Sequence, residues 1–125
     1  MKFARIVFWS AAVWGVLVVA PMLFLFDMVG RQDPPPINHP QFYYGFATAA
    51  LVWQFVYMTI ATDVVRFRPF MLLGALAKLS YFAAVAVLFV EGRISTQMFA
   101  ISSPDALFGG LFLAAHFQLA PRRPD

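Results

Sequence analysis

Lys78 lies nine residues beyond Pro69 inside the apolar run from Pro69 to Val90. At 1.5 Å of rise per residue its Cα falls about 13 Å along a helix, close to the middle of a bilayer. An ammonium at that depth costs roughly 2.5–3.5 kcal/mol on insertion scales. Such a cost implies a partner or a water-filled cavity, and two readings follow. One is a working cation that binds an anionic head group or relays a proton. The other is a lysine hydrogen-bonded to Gln54, Tyr57 or a backbone carbonyl to fix helix packing. The sequence leaves both open.

Other polar residues share helical faces with that depth. Tyr43, Ala47, Ala50, Gln54, Tyr57 and Ala61 recur at offsets of 4, 7, 11, 14 and 18 from the first, which is one side of an α-helix. Gly74, Ala77, Lys78, Tyr81 and Ala84 form a second small and polar face. Asp105, Gly109, Phe112 and His116 form a third. The candidate pocket residues are therefore Gln54, Tyr57, Lys78, Tyr81, Asp105 and His116. For Asp105 there is a plainer reason, since a carboxylate in the first turn of a helix gains about 0.3–1 kcal/mol from the helix dipole. His116, near the end of its helix, suits capping or packing against an aromatic ring more than metal or haem ligation. Asp63 and Arg66 are expected to form an interfacial ion pair or to contact lipid phosphate. Arg66, Arg68, Arg122 and Arg123 are candidates for holding anionic lipid head groups, at about 1 kcal/mol per basic residue near a charged leaflet.

No nucleotide-binding glycine loop, nucleophile elbow, zinc-protease helix or pair of carboxylates at helical spacing is present. Without cysteine there are no disulfides, Fe–S clusters, thiolate zinc sites or thiol nucleophiles. No metal or cofactor is expected. The net charge of +3 is scattered over segment ends, unlike the basic face that nucleic-acid binding requires.

The elements that must hold these residues are set by composition. A chain of 125 residues with 62% hydrophobic and 12% charged residues is far more apolar than a soluble domain, which is about 45–50% apolar and 25% charged. The expectation is an all-α polytopic membrane protein, a single domain of four transmembrane helices with spans near 3–29, 40–62, 69–90 and 104–120. The first is taken as an uncleaved span rather than a signal peptide, because its apolar run exceeds an h-region of about 7–15 residues. Pro21 should kink it. Three consecutive prolines, Pro34 to Pro36, make a stiff connector. Pro40 and Pro69 sit where a helix begins, since a first-turn proline loses no bond. The segment from Ile94 to Ser102 is expected along the interface, with Ser103-Pro-Asp105 as the start of the last helix.

Charge sets the topology. Lys2, Arg5, Arg66, Arg68, Arg122 and Arg123 fall on one side, and only Arg31 and Arg93 on the other. The positive-inside rule then places both termini and the Asp63 loop in the cytoplasm.

The runs Arg66-Phe-Arg-Pro-Phe-Met-Leu72, Lys78-Leu-Ser-Tyr81, Glu91-Gly-Arg93 and Asp105-Ala-Leu-Phe-Gly-Gly-Leu-Phe112 resemble small four-span bacterial membrane proteins distantly similar in layout to DoxX-like proteins. The resemblance covers the last two thirds of the chain. It implies a bacterial inner-membrane bundle in which the lysine and the aspartate recur as polar positions. In that group an acidic residue often precedes the lysine, where this chain has Ala77. No cofactor ligands carry over.

Two functions fit. The first is an accessory or interaction subunit, or a lipid-binding bundle, whose partners are the bilayer and another membrane protein or a second copy. The second is a lipid-handling enzyme or small transporter built on a polar pocket around Lys78.

Overall fold

The computed structural model describes residues 1–119 and is all-helical over them. Helix α1 runs Lys2–Val19, a 3₁₀ turn Ala20–Phe24, α2 Phe26–Gln32, α3 Pro40–Thr62, α4 Arg68–Val90 and α5 Thr96–Gln118. Four helical units of 23 residues each, Lys2–Phe24, Pro40–Thr62, Arg68–Val90 and Thr96–Gln118, are long and apolar enough to cross a membrane. They are compatible with a small multi-pass membrane protein. Arg122, Arg123 and the expected end of the last span at Ala120 lie outside the described residues.

The expected first span, 3–29, is divided. Pro21 has no N–H for the α-helical bond to Leu17. The α-helix accordingly ends at Val19 and tightens into the 3₁₀ turn. The chain bends at Leu25 (φ −119°, ψ 23°) before resuming as α2. The Tyr43 hydroxyl on α3 donates to the Met22 carbonyl at 2.6 Å, satisfying one acceptor in the turn. Phe26 stacks on Tyr44 and meets Tyr43 edge-on, with centroids 5.4 and 5.1 Å apart, which docks α2 against the start of α3.

The last helix departs further from expectation. Ser95, not Ser103, is its N-cap, accepting from the Met98 N–H at 3.1 Å. The segment 96–102 is helix rather than an interfacial stretch, and Pro104 is inside α5. Asp105 is consequently near mid-helix, beyond the reach of a helix-terminal dipole, which fades within the first turn.

Helix α1 packs chiefly on α3, α4 chiefly on α5, and α1 also crosses α5, whereas the consecutive α3 and α4 touch sparingly. The core fills the half of the bundle nearest Met1 and the 63–67 loop. Phe8 stacks on Phe112 at 4.2 Å, Tyr57 lies 5.0 Å from Phe112, and all three are buried beside Met71, Ala75 and Ala115. Gly74 leaves room for this cluster: a Cβ there would stand 3.1 Å from Tyr57 and 3.4 Å from Phe112. Large apolar side chains such as Leu17, Val52, Leu76 and Leu107 point outward, as a lipid-facing surface requires.

Candidate functional site: an ion pair at the base of an apolar cavity

The other half of the bundle is not filled. A cavity of about 440 Å³ lies among α1, α3, α4 and α5, with Val29 of α2 at its edge. Val18, Met22, Trp53 and Ile101 supply apolar wall, and Gln54, Tyr57, Lys78, Tyr81 and Asp105 also line it. Five of the six pocket residues expected from sequence thus meet around one space.

Lys78 Nζ donates to Asp105 Oδ1 at 2.6 Å. Ala77 offers no carboxylate beside Lys78 in sequence, and the partner comes from Asp105 on the facing helix. The close approach of α4 and α5 is set by Gly109, where a Cβ would stand 2.7 Å from Leu79 and 3.3 Å from the Lys78 Cβ. The Lys78 ammonium also lies 5.4 Å from the centroid of the Tyr57 ring and 5.9 Å from that of Phe108, a range in which ring quadrupoles attract a cation. Among the described residues neither Gln54 nor a backbone carbonyl accepts a hydrogen bond from it. The Gln54 amide donates to Ala50 O in its own helix at 2.8 Å, and its Oε1 is buried without a hydrogen-bond partner among the described residues. That oxygen rests on Gly15, where a methyl group would coincide with it.

Tyr81 and Ser102 share a hydrogen bond at 3.2 Å. Phe46 stacks on Tyr81 at 5.5 Å across the space between α3 and α4. Sequence reasoning missed Trp14 and Ser102, both of which line the cavity. Ser102 was legible in principle: positions 98, 102, 105, 109, 112 and 116 continue one helical stripe. Reading Pro104 as a helix start interrupts it.

His116 lies apart from this cavity. Its Nδ1 is 3.3 Å from Arg68 O, and Arg68 Nε donates to His116 O at 3.0 Å. The pair of contacts fastens the end of α5 to the beginning of α4. Asp63 and Arg66 meet differently from the expected ion pair. Asp63 Oδ1 accepts from the Arg66 backbone N–H at 3.1 Å, a local bond that shapes the turn, while the Arg66 guanidinium lies over the Phe67 ring at 5.3 Å. Among the described residues no cluster of His, Cys, Asp and Glu could hold a metal ion.

Fold and site together define a membrane-type four-helix bundle with a closed half and a hollow half, and a buried ion pair between them. No protein-family model, curated protein or solved structure matches the chain.

Proposed function

We propose that this protein is a membrane-embedded binding bundle that takes up one amphipathic, membrane-dissolved molecule, its chain along the apolar walls and its head at the Lys78–Asp105 pair. The observation that carries this reading is the pair itself, lining a largely apolar cavity. A largely apolar concavity with a few convergent polar groups is the usual form of a small-molecule site, and 440 Å³ falls in the customary range of about 300–1,000 Å³.

An interaction subunit that docks through small-residue faces is less well supported. Gly15, Gly74 and Gly109 are occupied within the chain by Gln54, by Tyr57 and Phe112, and by Leu79. These three are not free to receive another helix, and the open helical positions are Gly45 and Gly110, where a Cβ meets nothing within 4 Å. The alternative of a lipid-handling enzyme or transporter would use the same cavity and pair.

The setting proposed is a bacterial inner membrane, as the resemblance to four-span DoxX-like proteins implies. The end bearing Lys2, Arg5, Arg66 and Arg68 is placed in the cytoplasm by the positive-inside rule. The cavity then belongs to the outer half of the bilayer.

The test is native mass spectrometry of the protein released from nanodiscs. One amphiphile per chain should remain bound to the wild type and be lost from Ala50→Phe and Ala77→Phe, which fill the cavity from two helices. Equal retention by both folded variants would refute a role for this cavity.

A further inference from the structure

We propose that the cavity selects an uncharged amphiphile whose head group donates a hydrogen bond, a long-chain alcohol in chemical class, over charged amphiphiles of the same chain length. This rests on the binding role proposed above and names its ligand class.

The first ground is charge. Lys78 and Asp105 are 2.6 Å apart, and whichever of them holds the shared proton, their net charge is zero. A charged head group therefore arrives uncompensated in a site walled mainly by apolar side chains. Unpaired charge is the least tolerated cargo of such a site.

The second ground is which hydrogen-bonding positions are already taken. The Lys78 ammonium is held by Asp105 Oδ1 and flanked by the Tyr57 and Phe108 rings, and its side chain is only 8% exposed. An anion approaching it competes with a carboxylate already in place. The hydroxyls of Tyr81 and Ser102 share one hydrogen bond, which uses one of their two protons.

Acceptor capacity is open as well, at Asp105. The Asp105 side chain is 20% exposed and lines the cavity, and its second carboxylate oxygen makes no hydrogen bond to the described residues. Gln54 on the facing helix adds no acceptor that a ligand can reach, because its unpartnered Oε1 is fully buried against Gly15. A cavity-lining acceptor without a donor is satisfied by a ligand O–H. The free Asp105 oxygen also disfavours an analogue that lacks the proton, by the same logic that lets hydrogen-bonding sites discriminate hydroxyl from its absence.

The chain supplies its own reporters. Of its three tryptophans, Trp14 and Trp53 line the cavity, and Trp9 is on the outward surface, 42% exposed. The Trp9→Phe protein is placed in phosphatidylcholine nanodiscs. It is titrated by mole fraction with four chain-brominated amphiphiles of equal length: an alcohol, its methyl ether, a sulfonate and a trimethylammonium. Bromine quenches the tryptophans on contact, and unbrominated alcohol serves as competitor. The alcohol should give saturable, competable quenching at a mole fraction at least about tenfold lower than either charged compound and about fivefold lower than the ether. A sulfonate or ammonium that saturates as readily as the alcohol overturns the selection of an uncharged head. An ether that matches the alcohol overturns the requirement for a donor. Either result leaves the binding role intact, whereas four titrations without a saturable component remove the binding role and this inference together.

Discussion

Lys78 on α4 and Asp105 on α5 are 2.6 Å apart, each close to the midpoint of a 23-residue helix. Two residues of opposite charge at one depth, on the helices that pack most closely, allow both to enter a bilayer as a neutral unit. Removing one partner of a buried pair leaves the other uncompensated, at a cost of about 3–5 kcal/mol, whereas replacing both by apolar residues is often neutral or better. Lys78→Met and Asp105→Leu should each destabilise the bundle by about that amount. The double variant should lie within about 1 kcal/mol of wild type. A double-mutant cycle measured by steric-trap unfolding in bicelles decides it, and additive losses in the double variant would show that the two side chains do not act as a pair.

Two adjacent glycines should behave oppositely. A Cβ on Gly109 would press on Leu79 at 2.7 Å, and one on Gly110 meets nothing within 4 Å. Gly109→Ala should cost about 1–3 kcal/mol through overpacking between α4 and α5. Gly110→Ala should stabilise α5 by about 0.4–1 kcal/mol, because the unfolded chain loses freedom and no contact suffers. Thermal unfolding of the two variants in the same detergent supplies the comparison. Equal effects would mean that the close approach of α4 and α5 at Gly109 does not matter.

The start of α5 is testable at two serines. Ser95 Oγ accepts from the Met98 N–H, so Ser95→Ala should cost about 0.5–2 kcal/mol. Ser103, the start expected from sequence, instead donates to the Phe99 carbonyl within the helix at 2.9 Å. Such a back-bond contributes little to helix stability, so Ser103→Ala should change stability by less than about 0.5 kcal/mol. A reversal of the two values in unfolding measurements would restore the shorter helix.

The misplaced start shows what the sequence could and could not disclose. Long apolar runs, the first-turn prolines at Pro40 and Pro69, and the 3.6-residue stripes are local signals, and they gave α3 and α4 almost to the residue. A proline inside a helix gives the same local signal as one at its beginning. Only packing against α4 distinguishes them, because the Tyr81–Ser102 and Lys78–Asp105 contacts both require helix on each side of Pro104. The candidate site was legible for the same reason in part. Helical spacing found Gln54, Tyr57, Lys78 and Tyr81 as inward residues, but which of them touch depends on the register between helices. His116 shares the Asp105 stripe and is about three turns nearer the closed end, where Arg68 occupies it.

Gln54 and Gly15 form the contact on which α1 and α3 are aligned at the cavity wall. The Gln54 amide bonds Ala50 O, and its other end fills the position that a side chain on Gly15 would take. Gly15→Ala must therefore push the amide aside or spread the helices, and should destabilise by about 1–3 kcal/mol. In a Gln54→Ala background the obstacle is gone, and the same Gly15→Ala substitution should cost less than about 0.5 kcal/mol, the loss of glycine freedom even favouring the helix. Denaturant titrations of the four proteins of this cycle measure the coupling directly. If Gly15→Ala is equally harmful with and without Gln54, the two helices are aligned by something other than this contact, and the glutamine is free to serve the cavity alone.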